Sequence, residues 1–247
     1  TMSGTNALLN IFASIVNPGD NVLLPEPYFP LYGPDVGLWG GEPKFYQCLF
    51  ENEFVPTIDH LESLIDENTV AILYNFPSNP TGATITTEQR DELLAFAQRH
   101  DLWIITDEVY DRIVFDNEHV SFVGCDDERV ILINSFSKTY AMTGWRIGYI
   151  LSANKEAMSQ MIKVQYYITA CSNDAMQYAV LTAINEADGY PDEMCAEFKA
   201  RRDIICTRLN AMEGVECHVP EGAFYVFPKV DIPVSYTHLT LPTKDSV

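Results

Sequence analysis

Four short apolar runs, Asn21 to Leu24, Val70 to Tyr74, Leu102 to Thr106 and Val130 to Asn134, constrain the fold of this chain more than any other feature. Trp103-Ile104-Ile105 and Val130-Ile131-Leu132-Ile133 lack the alternating polar residues of a half-exposed strand, so both faces of such a strand must be covered. A stretch with helical spacing, Thr86 to His100, separates two of the runs. Turn chemistry at Asn17-Pro18-Gly19-Asp20 and Asn79-Pro80-Thr81-Gly82 stops one element and starts another. This order predicts an α/β fold with a mostly parallel sheet, in which ligands gather beyond the carboxyl ends of the strands. From about Tyr190 the pattern changes to one long helix, Asp192 to Met212, then strand-like runs at Val215 to Val219 and Ala223 to Phe227. A large domain over residues 1–190 and the start of a smaller α/β domain over 191–230 are expected. Residues 231–247 carry no clear period.

Charge and length narrow the function classes. With 247 residues and 47% hydrophobic composition, the chain has enough material for a sizeable core. Its 15 basic residues against 35 acidic ones give a net charge of −20, which repels nucleic-acid phosphates and anionic lipid surfaces. No apolar run approaches the roughly 20 residues of a spanning helix, and no basic-then-apolar leader opens the chain. Nucleic acid and membrane are therefore not expected as partners, and a cytoplasmic location is. The six cysteines and five histidines are dispersed, with no metal-ligand spacing, so no metal is expected.

The residues that carry chemistry stand just after the apolar runs. Ser135-Phe136-Ser137-Lys138 follows one of them and places an amine at a strand's carboxyl end. An isolated lysine usually sits in solvent. Here two serines precede it, and Arg146 follows within the glycine-flanked run Thr143-Gly144-Trp145-Arg146-Ile147-Gly148, a set of hydroxyls and a guanidinium that suits phosphate. Asp107, with Tyr110 three positions on, ends another run. As a carboxylate there it needs a cationic partner, or it caps a helix. Asn79 lies in a turn after the second run, Ser3-Gly4-Thr5 opens a helix whose free N–H groups suit an anion, and Tyr28-Phe29 follows the first run. Each of these taken singly fits a cap, a turn or core packing.

Together and in this order the segments resemble the class I and II pyridoxal-phosphate aminotransferases, the fold-type I superfamily of aspartate aminotransferase. The resemblance covers Ser3 to about Val230 and rests on Asn-Pro-Thr-Gly, Asp-x-x-Tyr, Ser-x-Ser-Lys and Arg-x-Gly in one chain. It implies a large domain with a seven-stranded type of sheet and pyridoxal 5'-phosphate as cofactor. It also implies Lys138 as the Schiff-base amine and later proton carrier, and Asp107 as the partner of the ring nitrogen. Asn79 and Tyr110 are implied as donors to the ring oxygen, and Phe29, with Tyr28 as the neighbouring alternative, as the ring that stacks on the cofactor. Ser3, Gly4 and Thr5 match one side of the family's phosphate cup, and Ser135, Ser137 and Arg146 the other.

The implied reaction moves an amino group between an amino acid and a 2-oxo acid, in a homodimer when intact. Carbon–sulfur β-lyases and cyclopropane-forming synthases share the same residues, and a cofactor-binding regulatory domain of a transcription factor is the alternative from another class. The family's chain begins upstream of the phosphate helix, and no arginine follows Arg208 to hold a substrate carboxylate, so the sequence reads as a piece truncated at both ends that transaminates poorly. The stretch Ser235 to Lys244 fits no family segment.

Overall fold

The computed structural model describes residues 1–231, so most of the tail noted above, residues 232–247, lies outside the described residues. One sheet carries β1 (Asn21–Glu26), β2 (Glu42–Gln47), β3 (Thr69–Asn75), β4 (Trp103–Asp107), β5 (Val130–Ser135) and β6 (Gly148–Ser152), in the order β2-β1-β3-β4-β5-β6. Neighbours run parallel except β6, which is antiparallel to β5. The helices are α1 (Gly4–Ile15), α2 (Tyr32–Leu38), α3 (Ile58–Glu62), α4 (Thr87–Arg99), α5 (Phe136–Thr139), α6 (Lys155–Thr169), α7 (Asp174–Glu186) and α8 (Tyr190–Asn210). A short pair, β7 (Val215–Glu216) with β8 (Lys229–Val230), lies beyond α8.

Period-two alternation sorts the strand residues onto two layers. Val22, Leu24, Ala71 and Leu73 pack with α1, α2 and α6, while Leu23, Ile72 and Tyr74 pack with α3 and α4. Fully buried side chains of this kind contribute about 1.5–3 kcal/mol each relative to exposure, which explains why four runs without a polar face dominate the fold. Helix α4 turns Leu93, Phe96 and Ala97 inward and starts on a capping box, in which Thr86 accepts from the Gln89 N–H and Gln89 returns the bond.

The α/β class and the mostly parallel sheet agree with the sequence; the main sheet has six strands among the described residues where a seven-stranded type was expected. Two local expectations are corrected. Only Val215 and Glu216 of the run to Val219 form a strand, and Ala223 to Phe227 forms none. The chain entering the second stretch bonds to a different partner at each residue: Gly222 N–H donates to Gly82 O at 3.0 Å, and Ala223 N–H to Ile113 O at 2.9 Å. A ladder needs consecutive bonds to one neighbour.

Candidate active site

All the strands that supply chemistry end on the same side of the sheet because they are parallel. At the end of β3, Asn75 is buried and uses its amide twice: Nδ2 donates to Asp107 O at 2.9 Å, and Oδ1 accepts the Asn79 N–H at 2.8 Å. One side chain thus fixes the Asn-Pro-Thr-Gly turn against the end of β4. Gly82 closes that turn at φ +74°, and a Cβ there would lie 2.4 Å from Pro220 Cβ. Both the left-handed backbone and the close approach require glycine.

The acidic segment after β4 distributes three carboxylates. Asp107 faces the cavity and accepts from Tyr32 Oη at 2.8 Å and Val109 N–H at 3.3 Å. Glu108 is held elsewhere, by Thr106 Oγ1 at 2.9 Å, His119 Nε2 at 2.7 Å and Phe122 N–H at 3.1 Å. Asp111 accepts from Asn134 Nδ2 at 2.9 Å and Thr139 Oγ1 at 3.4 Å, which ties this segment to the turn that carries Lys138.

Ser135 ends β5, and Ser137 and Lys138 lie on α5. Arg146 adopts the left-handed conformation at φ 58° and donates to Thr143 O at 2.7 Å. Gly148 begins β6, where a Cβ would meet the Ser3 carbonyl carbon at 2.7 Å and Gly4 N at 2.9 Å. Its absence lets the start of α1 sit against β5 and β6. Ser3 caps α1 through Asn6 N–H at 3.1 Å, and the N–H groups of the first turn have no acceptor within the helix.

These ends surround one cavity of about 230 Å³. Ser3, Gly4, Thr5, Phe29, Asn79, Asp107, Tyr110, Ser135, Ser137, Lys138 and Arg146 all line it. Tyr28 does not; it stacks on Phe45 with centroids 4.8 Å apart and packs on the core. Of the adjacent aromatics, Phe29 is therefore the one at the cavity. Sequence reasoning missed Tyr32, Asn75, Thr143 and Tyr225, which also line it. Thr143 opens the Arg-containing run and Asn75 ends a buried strand, so both carried a signal. Tyr32 and Tyr225 read as core aromatics.

Burial sets the electrostatics. It pushes the Asp107 carboxyl up to about 6, against the Tyr32 and Val109 bonds and the Lys138 charge that favour ionisation. It also lowers the Lys138 amine, which Asp107 raises and Arg146 lowers further. The Lys138 amine lies 5.2 Å from the Phe224 ring centroid and 5.5 Å from that of Tyr110. The donor set suits a phosphorylated pyridine aldehyde: an amine for the aldehyde, a buried carboxylate for a protonated ring nitrogen, and helix N–H groups, hydroxyls and one guanidinium for the phosphate. The close-packed start of α1 at Gly148 completes that fit.

The chain matches the model of the family aminotransferase class I and II over residues 1–235. It is 39% identical over 233 residues to aromatic-amino-acid aminotransferase 2 of Thermococcus litoralis, covering 92% of this chain and 59% of that protein. An aspartate aminotransferase of Thermotoga maritima is 37% identical over 232 residues, 93% of this chain and 60% of the relative. The crystal structure of an aromatic aminotransferase from Pyrococcus horikoshii superposes with a TM-score of 0.88 at 37% identity, over 92% of this chain and 62% of that one. The chain spans about 60% of the length of the curated relatives it matches.

Proposed function

Because the chain belongs to the class I and II aminotransferases, we propose that the protein exchanges an amino group between an amino acid and a 2-oxo acid, with Lys138 as its catalytic amine. Pyridoxal 5'-phosphate, the cofactor of this family, supplies when bound an aldehyde for amines and a protonated ring that withdraws electrons from the substrate α-carbon. The observation that carries the reading is the convergence of an amine, a buried carboxylate and a set of phosphate donors on one cavity.

In this reading Lys138 Nζ would bind the aldehyde carbon with loss of water and, once displaced by the substrate's amine, would hold the proton taken from the substrate α-carbon. Its lowered basicity favours the neutral, nucleophilic amine. Asp107 holds a proton on the ring nitrogen, and Tyr32 helps to keep that carboxyl ionised. Asn79 and Tyr110 donate to the ring oxygen, and Phe29 covers a ring face. The N–H groups of Gly4 and Thr5, with Ser3, Ser135, Ser137 and Arg146, bind the phosphate. Residues 1–190 form the large domain and 191–230 the start of the small one. A homodimer is proposed, supported by exposed apolar residues on α6 and α7, among them Tyr166, Tyr167, Tyr178 and Leu181. No helix among the described residues is long and apolar enough to cross a membrane. A cytoplasmic setting is proposed, where buried thiols such as Cys48 and Cys206 stay reduced.

The test is a visible spectrum of the chain with pyridoxal 5'-phosphate, before and after borohydride, for the native protein and Lys138→Ala. A reducible band with label at position 138, lost in the variant, is expected; label elsewhere or none overturns the assignment. Keto-acid formation from an added amino acid then marks transamination, whereas pyruvate with ammonia marks elimination.

A further inference from the structure

Tyr225 lies outside every motif noted in the sequence, yet its hydroxyl is 2.6 Å from that of Tyr110 and both residues line the cavity. A contact this short between two phenols holds one proton, so one oxygen donates and the other accepts. The acceptor keeps its own proton for a second partner. With Tyr110 as donor, its remaining lone pair would face the cavity, which repels an anionic oxygen placed there. With Tyr225 as donor, the Tyr110 proton faces the cavity and both protons have acceptors.

The backbone, not the phenol contact, holds Tyr225 in place. Its segment is fixed by Gly222 N–H to Gly82 O at 3.0 Å, Ala223 N–H to Ile113 O at 2.9 Å and Phe115 N–H to Glu221 O at 2.9 Å. Gly82 closes the turn that carries Asn79, so one segment braces both donors assigned to the ring oxygen. The Tyr110 ring meets Phe224 and Tyr225 edge-on, with centroids 5.2 and 5.7 Å away, which leaves its hydroxyl little freedom to swing. Burial raises the Tyr110 phenol well above its ordinary range, so it stays protonated and has a proton to donate.

We propose that Tyr225 is a positioning residue whose hydroxyl donates to the Tyr110 oxygen and so turns the Tyr110 proton toward the ring oxygen of the bound cofactor. The proposal rests on the reading of Tyr110 as a donor to that oxygen. Donation to the ring oxygen favours its anionic form and lowers the pH at which the bound cofactor's absorbance changes; a donor that is itself hydrogen-bonded donates more strongly.

The experiment is a spectrophotometric pH titration of the 247-residue chain loaded with pyridoxal 5'-phosphate, for the native protein, Tyr110→Phe, Tyr225→Phe and the double variant. Phenylalanine keeps each ring in its packing, and circular dichroism checks that each variant folds. Tyr225→Phe is expected to raise the midpoint by about 0.5 pH unit and Tyr110→Phe by about 1 unit, from the size of one net hydrogen bond. The double variant should match Tyr110→Phe alone, since Tyr225 acts through Tyr110. A Tyr225→Phe midpoint equal to the native one, or an effect that adds fully to that of Tyr110→Phe, overturns the relay and leaves the role of Tyr110 standing. A midpoint unmoved by Tyr110→Phe overturns both.

Discussion

Asp107 and Lys138 titrate against each other. Burial disfavours the charged form of both, while their mutual attraction favours it. Removing the carboxylate charge should therefore let the Lys138 amine fall further below its usual range. Asp107→Asn in the cofactor-free chain is expected to shift the pH profile of Lys138 acetylation, followed by mass spectrometry, toward lower pH; a shift upward would mean that the carboxylate does not act on this amine. Tyr32 belongs to the same balance, because its hydroxyl stabilises the ionised Asp107 at 2.8 Å. In Tyr32→Phe the cavity keeps its shape but the carboxyl ionises less readily. Pyridoxal 5'-phosphate affinity should drop about 10- to 100-fold, the worth of one buried hydrogen bond to a charged group, with the borohydride label still at Lys138. Unchanged affinity in a binding titration would remove Tyr32 from the site's working parts.

Elements place these residues by their ends, and here the Pro220–Tyr225 segment is the least obvious contributor. Alanine at position 82 would demand a left-handed backbone and drive its Cβ into Pro220. Gly82→Ala should cost about 2–4 kcal/mol, from strain plus overpacking, and expose Phe224 and Tyr225 to chymotrypsin before global unfolding. Native-like protection of that segment would show that the turn adapts. The strands most legible in the sequence were those buried on both faces: β1, β3 and β5 contain the apolar run that announces them, and β4 contains all of its run but Leu102. The edge strand β2, Glu-Pro-Lys-Phe-Tyr-Gln, is mostly half-buried and has no such run, so periodicity passes over it. The residues implied by the resemblance lie in short local patterns at strand ends and meet in one cavity. Tyr32 and Tyr225 were illegible because their part in it comes from contacts 75 and 115 residues away. A hydroxyl's partner at that separation is a property of topology, which no local pattern encodes.

For the whole molecule, acidity is the dominant variable. The net charge of −20 makes the compact state repel itself at neutral pH, and two buried carboxyls, Asp107 and Asp35, are each pushed up to about 6 by burial. For a group raised above its unfolded value, folding favours the protonated form. Its contribution is therefore fully present below the unfolded value near 3.8 and is lost as pH rises through about 6. Among the described residues Asp35 Oδ2 has no hydrogen-bond partner, so this residue gains little from being charged and is the one to remove without touching the cavity. Asp35→Asn should stabilise the cofactor-free chain by about 1–2 kcal/mol more at pH 7.5 than at pH 4.5, seen as several degrees in Tm. Added salt should raise the Tm of both proteins at pH 7.5 by screening the general repulsion, while leaving the difference between them, since a desolvation cost at a buried site is screened far less. A difference that vanishes in salt would mean that Asp35 is destabilising through the surrounding negative charge and not through its own burial.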